Sequence, residues 1–443
     1  MLVHLALALP LSLPLRASAG DELYTADVAF ALDALEQQCG QLMQAKGIDW
    51  KPVRKEFTAL AGDVTSPEEH RVLLTRLLAR LRDGHAEVVP LEQGKDVGWP
   101  AELAARWESE TGPGMFLCRS GKKILVKSAW NAARDVGIEP GMELVKVEGA
   151  EAAKWLEARA LELGDMQSFS TPQQAFYFAC HQGLSMPSGT RLELELKTAK
   201  GKKTKRTLTY GKANPVPWGP AFAPQGAEEL EDDTLVATTP KGYGYVHLRR
   251  VKEDVVEQID AILAKLGDPP GLILDFRSNG GGGCDHDALL GRFVPKGEEL
   301  VRAGAGPIPS AGPNPYGGPL IVIVDAGARS AGETASGMFK EDGRGYMIGE
   351  SPTAGMSAQK TTIELPSRLF GLDVAVASNK GRFNGGHGIE GIGVVPHEIV
   401  EYDPKDLAQG VDTLIRRAEE LLAKFPQNEV PYDPAQHGWK PRK

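Results

Sequence analysis

At 443 residues the chain exceeds one ordinary hydrophobic core, so two or three domains are expected. Its 42% hydrophobic and 25% charged residues are those of a globular protein, and a formal net charge of -9 leaves no basic footprint for nucleic acid or an anionic membrane surface. Four cysteines, Cys39, Cys118, Cys180 and Cys284, stand far apart with no C-x-x-C pair, which argues against a cysteine zinc site and a disulfide scaffold and leaves their pairing open.

Leu2 to Leu15 is apolar apart from His4 and Ser12, Pro10 and Pro14 break it, and Ala17-Ser18-Ala19 gives a small-x-small cleavage pattern before Gly20. Residues 1–19 are expected to be an export signal, with the mature chain periplasmic or extracellular and no membrane span in it. From Asp21 to about Leu81 apolar residues recur at helical spacing, Val28, Leu32, Leu35 and Leu42 in a first helix, Leu73, Leu74, Leu77, Leu78 and Leu81 in a last one. Ser66-Pro67-Glu68-Glu69 opens that last helix with a cap, a proline at N1 and acids in the first turn. It stops at Arg82-Asp83-Gly84-His85, where Gly84 can reverse the chain. A helical domain is expected over 21–90.

Residues 105–211 read as a β-rich unit. Lys123 to Lys127 is a strand, Asn131 to Gly137 a short helix, and Glu139 to Val147 a turn into a strand, while Arg191 to Lys197 pairs with Thr204 to Tyr210. The spacing A-x-x-x-G-I-x-P-G-x-x-L-x-x-V-x-G resembles a PDZ domain, which implies a groove taking a peptide by strand addition. Pro215, Pro217, Pro220 and Pro224 mark 212–232 as a linker. Over 233–426 strands and helices alternate: Tyr243 to Leu248, helix Glu253 to Leu266, Gly271 to Phe276, Ile321 to Val324, helix Ala331 to Phe339, Tyr346 to Gly349, Asp373 to Ser378 and a closing helix Leu407 to Phe425. This predicts an α/β domain with ligand chemistry at the carboxyl ends of its strands, followed by a tail at 427–443.

Two segments of that domain carry chemistry. In Ile321 to Glu333 a buried strand turns into a helix at Ser330, so one turn offers a hydroxyl and the helix's first amides. Capping explains the same serine, with Glu333 completing a capping box. The second segment is Asp275-Phe276-Arg277-Ser278-Asn279-Gly280-Gly281-Gly282-Gly283. It lacks the G-x-x-x-x-G-K-[ST] and G-x-G-x-x-G frames of a phosphate cradle, leaving a flexible loop or a set of oxyanion-binding amides. His286, His387 and His397 form no recognisable ligand spacing, so no metal is expected.

The order L-R-D-G-H, the PDZ-like insert, L-I-L-D-F-R-S-N-G-G-G, S-A-x-E, R-G-Y-M-I-G-E-x-x-T-A-G and H-G-I-E-G-I-G-V-V-P-H resembles the carboxyl-terminal processing (tail-specific) serine protease family. That resemblance implies an α/β catalytic domain of the ClpP/crotonase kind, a helical bundle before it, no cofactor, and polypeptide substrates recruited or gated by the PDZ-like domain. The processing branch uses a lysine base in T-x-G-K, but Met356 follows Thr353-Ala354-Gly355, and a thioether cannot take the serine proton. Lys360 lies about 13 Å further along an extended strand. The tricorn branch uses histidine and glutamate, matched here by His85 and Glu390, although Gly84 and Gly391 replace that branch's neighbouring serine and asparagine. The resemblance thus implies Ser330 as nucleophile, His85 as base, Glu390 in support, and an oxyanion hole from the amides of Ala331 and of Gly281 or Gly282. A second reading is a carrier similar to the repeats of interphotoreceptor retinoid-binding protein, and a weaker third is a scaffold acting through the PDZ-like unit. Oligomeric state and cleavage preference are not legible.

Overall fold

The computed structural model describes residues 19–211, 219–230, 234–302, 305–356 and 359–424. The expected export signal, part of the expected linker at 212–218 and the tail at 427–443 lie outside the described residues, save Ala19, which already opens a helix.

Three helices, Ala19–Ala45, Trp50–Ala61 and Pro67–Ala79, follow one another, and the last begins as expected, with Ser66 accepting from Glu69 N. Their apolar stripes, including Leu32, Leu35, Phe57, Leu74 and Leu77, do not close on themselves. The missing wall is a three-stranded antiparallel sheet ordered Glu87–Pro90, Phe370–Ala377, Gln359–Glu364, which contributes Phe370, Leu372 and Val374 to the same core. This corrects the reading of 373–378 as a strand of the α/β sheet: alternation along Phe370–Ala377 gives it an apolar face for the helices to cover.

The β-rich unit is an antiparallel sheet ordered Met115–Ser120, Lys123–Ala129, Glu143–Val147, Arg191–Lys197, Lys203–Thr209, with Ala150–Glu151 beside Glu143–Val147. Two helices, Ala152–Leu163 and Pro172–Cys180, pack on it and on one another.

The largest sheet has seven strands ordered Glu228–Leu230, Thr234–Thr238, Gly244–His247, Leu272–Asp275, Leu320–Val324, Tyr346–Gly349, Glu398–Ile399, antiparallel at the first two junctions and parallel after that. Glu228–Leu230 falls within the stretch expected to be linker; its pairing with Thr234–Thr238 and the partial burial of Leu230 make it an edge strand instead. Leu272–Asp275 and Leu320–Val324 are buried at every position, as central strands covered on both faces must be. Helices Val255–Leu266 and Ala331–Glu341 fill one face, and Thr413–Leu422 the other. The expected closing helix is two, Pro404–Ala408 and Thr413–Leu422, because Gly410 takes a φ of 73° and Asp412 caps a new start. Arg277, fully buried, ties the end of Leu272–Asp275 to that second helix through Asp275 (2.6 Å) and Asp412 (2.8 Å).

Candidate active site

Strand Leu320–Val324 ends at Asp325, whose buried Oδ1 accepts from Ser278, Gly327 and Ala328 amides at 2.8, 2.9 and 3.1 Å. One carboxylate thus locks the turn and joins it to the glycine-rich segment. Ser330 follows in a strained conformation, φ 56° and ψ -129°, immediately before helix Ala331–Glu341. A side chain beyond glycine holds such a φ only where the surroundings over-determine it. Here Ser330 N donates to Met356 O (3.0 Å) and Glu333 Oε2 (3.2 Å), and Arg329 N donates to Asn279 O (2.9 Å).

The glycine-rich segment lies against this turn. A β-carbon on Gly281 would fall 2.7 Å from Ser330 Cβ, and one on Gly282 would overlap Val251 O, so only glycine fits at either place. Gly280 N donates to Arg249 O, Gly281 N to Asn279 Oδ1 (2.9 Å) and Gly283 N to Val251 O. Of the two glycines named as oxyanion donors, Gly281 therefore has its N–H engaged, while no bond from Gly282 N or Ala331 N occurs among the described residues.

Glu333 does more than complete the turn. It is fully buried, and besides Ser330 N it accepts from Thr353 Oγ1 (2.5 Å), Gly355 N (2.7 Å) and Met356 N (2.8 Å), so it pins segment 353–356 beside the serine. Burial pushes its carboxyl up to about 7 against the pull of those donors.

His85 reaches the same neighbourhood from the helical side. Asp83, buried, accepts from His85 N (2.9 Å) and from Ala375 N (2.7 Å), fixing the loop to strand Phe370–Ala377. A β-carbon on Gly84 would overlap Met356 Sδ, so Met356, whose carbonyl holds Ser330, also touches the histidine loop. Neither ring nitrogen of His85 has a hydrogen-bond partner, and so His85 and Ser330 are neighbours through Met356 without being bonded. Burial depresses the imidazole's pKa, with Asp83 opposing and Lys360, Arg329 and Lys46 reinforcing, so the ring is neutral at neutral pH.

Glu390 is not bonded to His85 either. Its Oε1 takes the Lys46 ammonium at 2.7 Å, and the same ammonium donates to Arg82 O at 2.6 Å. Lys46 and the anchoring role of Asp83 were not singled out in sequence, and Met356 was read only as the residue in place of a lysine: a lysine just past a helix end reads as a solvated cap, and only Glu390's position 344 residues later gives it meaning. Lys360 stands exposed on strand Gln359–Glu364. His286 bonds Thr334 Oγ1 and His397 accepts from Met347 N; no group of residues suited to a metal occurs among the described residues. The four cysteines are free thiols.

A cleft of about 1510 Å³ opens beside the site, walled by Lys46, Arg82, Phe176, Tyr177, Glu350 and Glu390. Ser330 and His85 do not line it.

A strained serine between a buried parallel strand and a helix, faced by a glycine loop, is the local geometry of this α/β domain at the carboxyl end of its central strand. Residues 242–400, which include Ser330, match the model of Peptidase family S41. Over 335 residues the chain is 29% identical to the chloroplastic C-terminal processing peptidase of Tetradesmus obliquus, covering 72% of this chain and 66% of that protein. Over 207 residues it is 28% identical to the tricorn protease of Thermoplasma acidophilum, covering 43% of this chain and 18% of that protein. The chain thus spans less than two thirds of the length of these curated relatives. A crystal structure of mature CPAF aligns at a TM-score of 0.63 and 15% identity over 94% of this chain and all of that one, a likeness of fold. No helix among the described residues is long and apolar enough to cross a membrane.

Proposed function

We propose that this chain is an exported serine endopeptidase that hydrolyses peptide bonds in unfolded or tail-exposed polypeptides through Ser330, His85 and Glu390. The observation that carries the reading is the backbone of Ser330, strained at φ 56° between strand and helix and pressed against Gly281, inside the segment that matches the peptidase family. Strain of this kind lifts a hydroxyl into reach of substrate, which a plain helix cap does not require. Ser330 Oγ attacks the scissile carbonyl carbon as His85 takes its proton, and the amides of Gly282 and Ala331 hold the developing oxyanion. His85 then protonates the leaving amine, and water releases the acyl group by the same route in reverse. Met356 at the position of the processing branch's lysine favours the histidine pathway.

We assign the boundaries 21–90, 105–211 and 233–426 to helical, PDZ-like and catalytic domains. In the PDZ-like unit, Met115–Ser120 is the end strand of its sheet and borders the cleft through Leu117, Cys118 and Arg119, which suits addition of an extended peptide.

One observation favours a second reading, a carrier with a vestigial site: His85 makes no bond to Ser330. A fluorophosphonate probe separates the two. Labelling of the wild type that is lost in Ser330→Ala, together with loss of casein hydrolysis, is the expected outcome; a wild-type chain that neither labels nor cleaves is a carrier.

A further inference from the structure

Lys46 stands just past the first helix, Ala19–Ala45, with its backbone N–H still bonded to Leu42 O, and its ammonium sits between two segments that bear candidate site residues. It lies 2.7 Å from Glu390 Oε1 and 2.6 Å from Arg82 O, three residues before His85. The Lys46 and Glu390 side chains are 6% and 2% exposed, so the pair is screened from solvent. A β-carbon on Gly391 would stand 3.2 Å from Lys46 Cγ, so the Glu390 loop closes over the lysine stem as well as its head. The His85 ring nitrogens take no bond from Glu390, and the buried lysine bridges that carboxylate to the carbonyl of Arg82 in the histidine loop.

We propose that Lys46 is a positioning residue for the hydrolytic site, the relay through which Glu390 sets the place of the His85 loop. This rests on the reading of Ser330 and His85 given above. A buried ion pair adds little to stability on balance, yet loss of one partner leaves the other charge unpaired, and such pairs are retained where they fix geometry. The lysine donates one proton to the carboxylate and another to the carbonyl that anchors Arg82, so moving either shifts the loop. The third member of the site therefore acts on histidine through a cation, where a direct carboxylate–imidazole bond is absent.

The test compares Lys46→Met, Lys46→Arg, Glu390→Gln and the double variant Lys46→Met/Glu390→Gln in the full chain, with fluorescein-labelled casein as substrate and the fluorophosphonate labelling rate of Ser330. The groups facing His85 are Asp83 on its own loop, Lys360, Arg329 and Lys46, so removal of the Lys46 cation should also move the acid limb of the pH–rate profile upward. Expected is a fall in kcat on the order of a hundredfold for Lys46→Met with KM nearly unchanged, partial rescue by Lys46→Arg, and a double variant no slower than the worse single one. A Lys46→Met chain with wild-type kcat and an unmoved limb, reduced only in melting temperature, makes the pair a structural staple and overturns the proposal. Should Lys46→Met not fold, the neutral double variant and Lys46→Arg decide it by the same two readouts. Failure of the underlying reading shows elsewhere, in a wild-type chain that does not label, and removes both.

Discussion

Glu333 carries four donors on two oxygens in a site without solvent, and its titration has a definite sign. Its folded pKa, about 7, is raised from 4.5, so its contribution to stability is full below pH 4.5 and is lost as pH rises through 7. Glu333→Gln should flatten the change of melting temperature across that window. It should also cost about 2 kcal/mol or more, because in either orientation the amide's NH₂ meets at least one backbone N–H, which can only donate. His85 works in the opposite direction. Its folded pKa lies below 6.5, so the neutral base persists at neutral pH and kcat/KM should fall as pH drops below that value. His85→Ala should remove that limb and lower kcat/KM by about 10² to 10⁴; a variant that keeps both sinks the assignment of the base. The strand-turn-helix setting of Ser330 was legible in sequence, but a helix cap explained it equally well there. His85 was not, since a histidine after a glycine turn carries no signal until the resemblance supplies one.

At the scale of elements, the segment Ser168 to Gln174 holds several parts of the site together. Ser168 and Ser170 hydroxyls accept from Asp83 N (2.9 Å) and Gly84 N (2.8 Å), Thr171 Oγ1 donates to Ala354 O (2.9 Å), Gln173 Nε2 donates to Ile392 O (2.8 Å), and Gln174 Nε2 meets Met356 Sδ (3.0 Å). Thr171 caps helix Pro172–Cys180, but the tertiary bonds of this segment reach residues more than eighty positions away that no periodicity connects. Gly84 shows the same limit: it was legible as a turn, whereas the contact with Met356 depends on two loops meeting. Gly84→Ala should slow catalysis by crowding Met356 against the histidine loop, and Met356→Ala should relieve it. A double-mutant cycle with coupling of roughly 0.5–3 kcal/mol is expected, and strict additivity would separate the two residues.

On the scale of the molecule, the positions of the central strands and the pairing of Arg191–Lys197 with the strand after it followed from local patterns, while the order of strands in the sheets did not. The assignment of Phe370–Ala377 did not, because an alternating strand does not name the surface that covers it. The segment Ser168 to Gln174 makes the β-rich unit part of the site's frame. Excision of residues 110–211 should therefore abolish fluorophosphonate labelling even where the remainder folds, and a truncated chain that labels at the wild-type rate would show the unit to be only a recruiter.

The sheet that joins Glu87–Pro90 to Phe370–Ala377 has a consequence for how the chain is made. On the ribosome the amino-terminal helices emerge early, but Phe370, Leu372 and Val374, which finish their core, arrive almost 300 residues later. Until then Leu32, Leu35, Leu74 and Leu77 have no lasting cover, and such a nascent chain is a client for a holdase. The same delay leaves the loop of Asp83, which Ala375 N anchors in the finished chain, without that anchor until the strand is made.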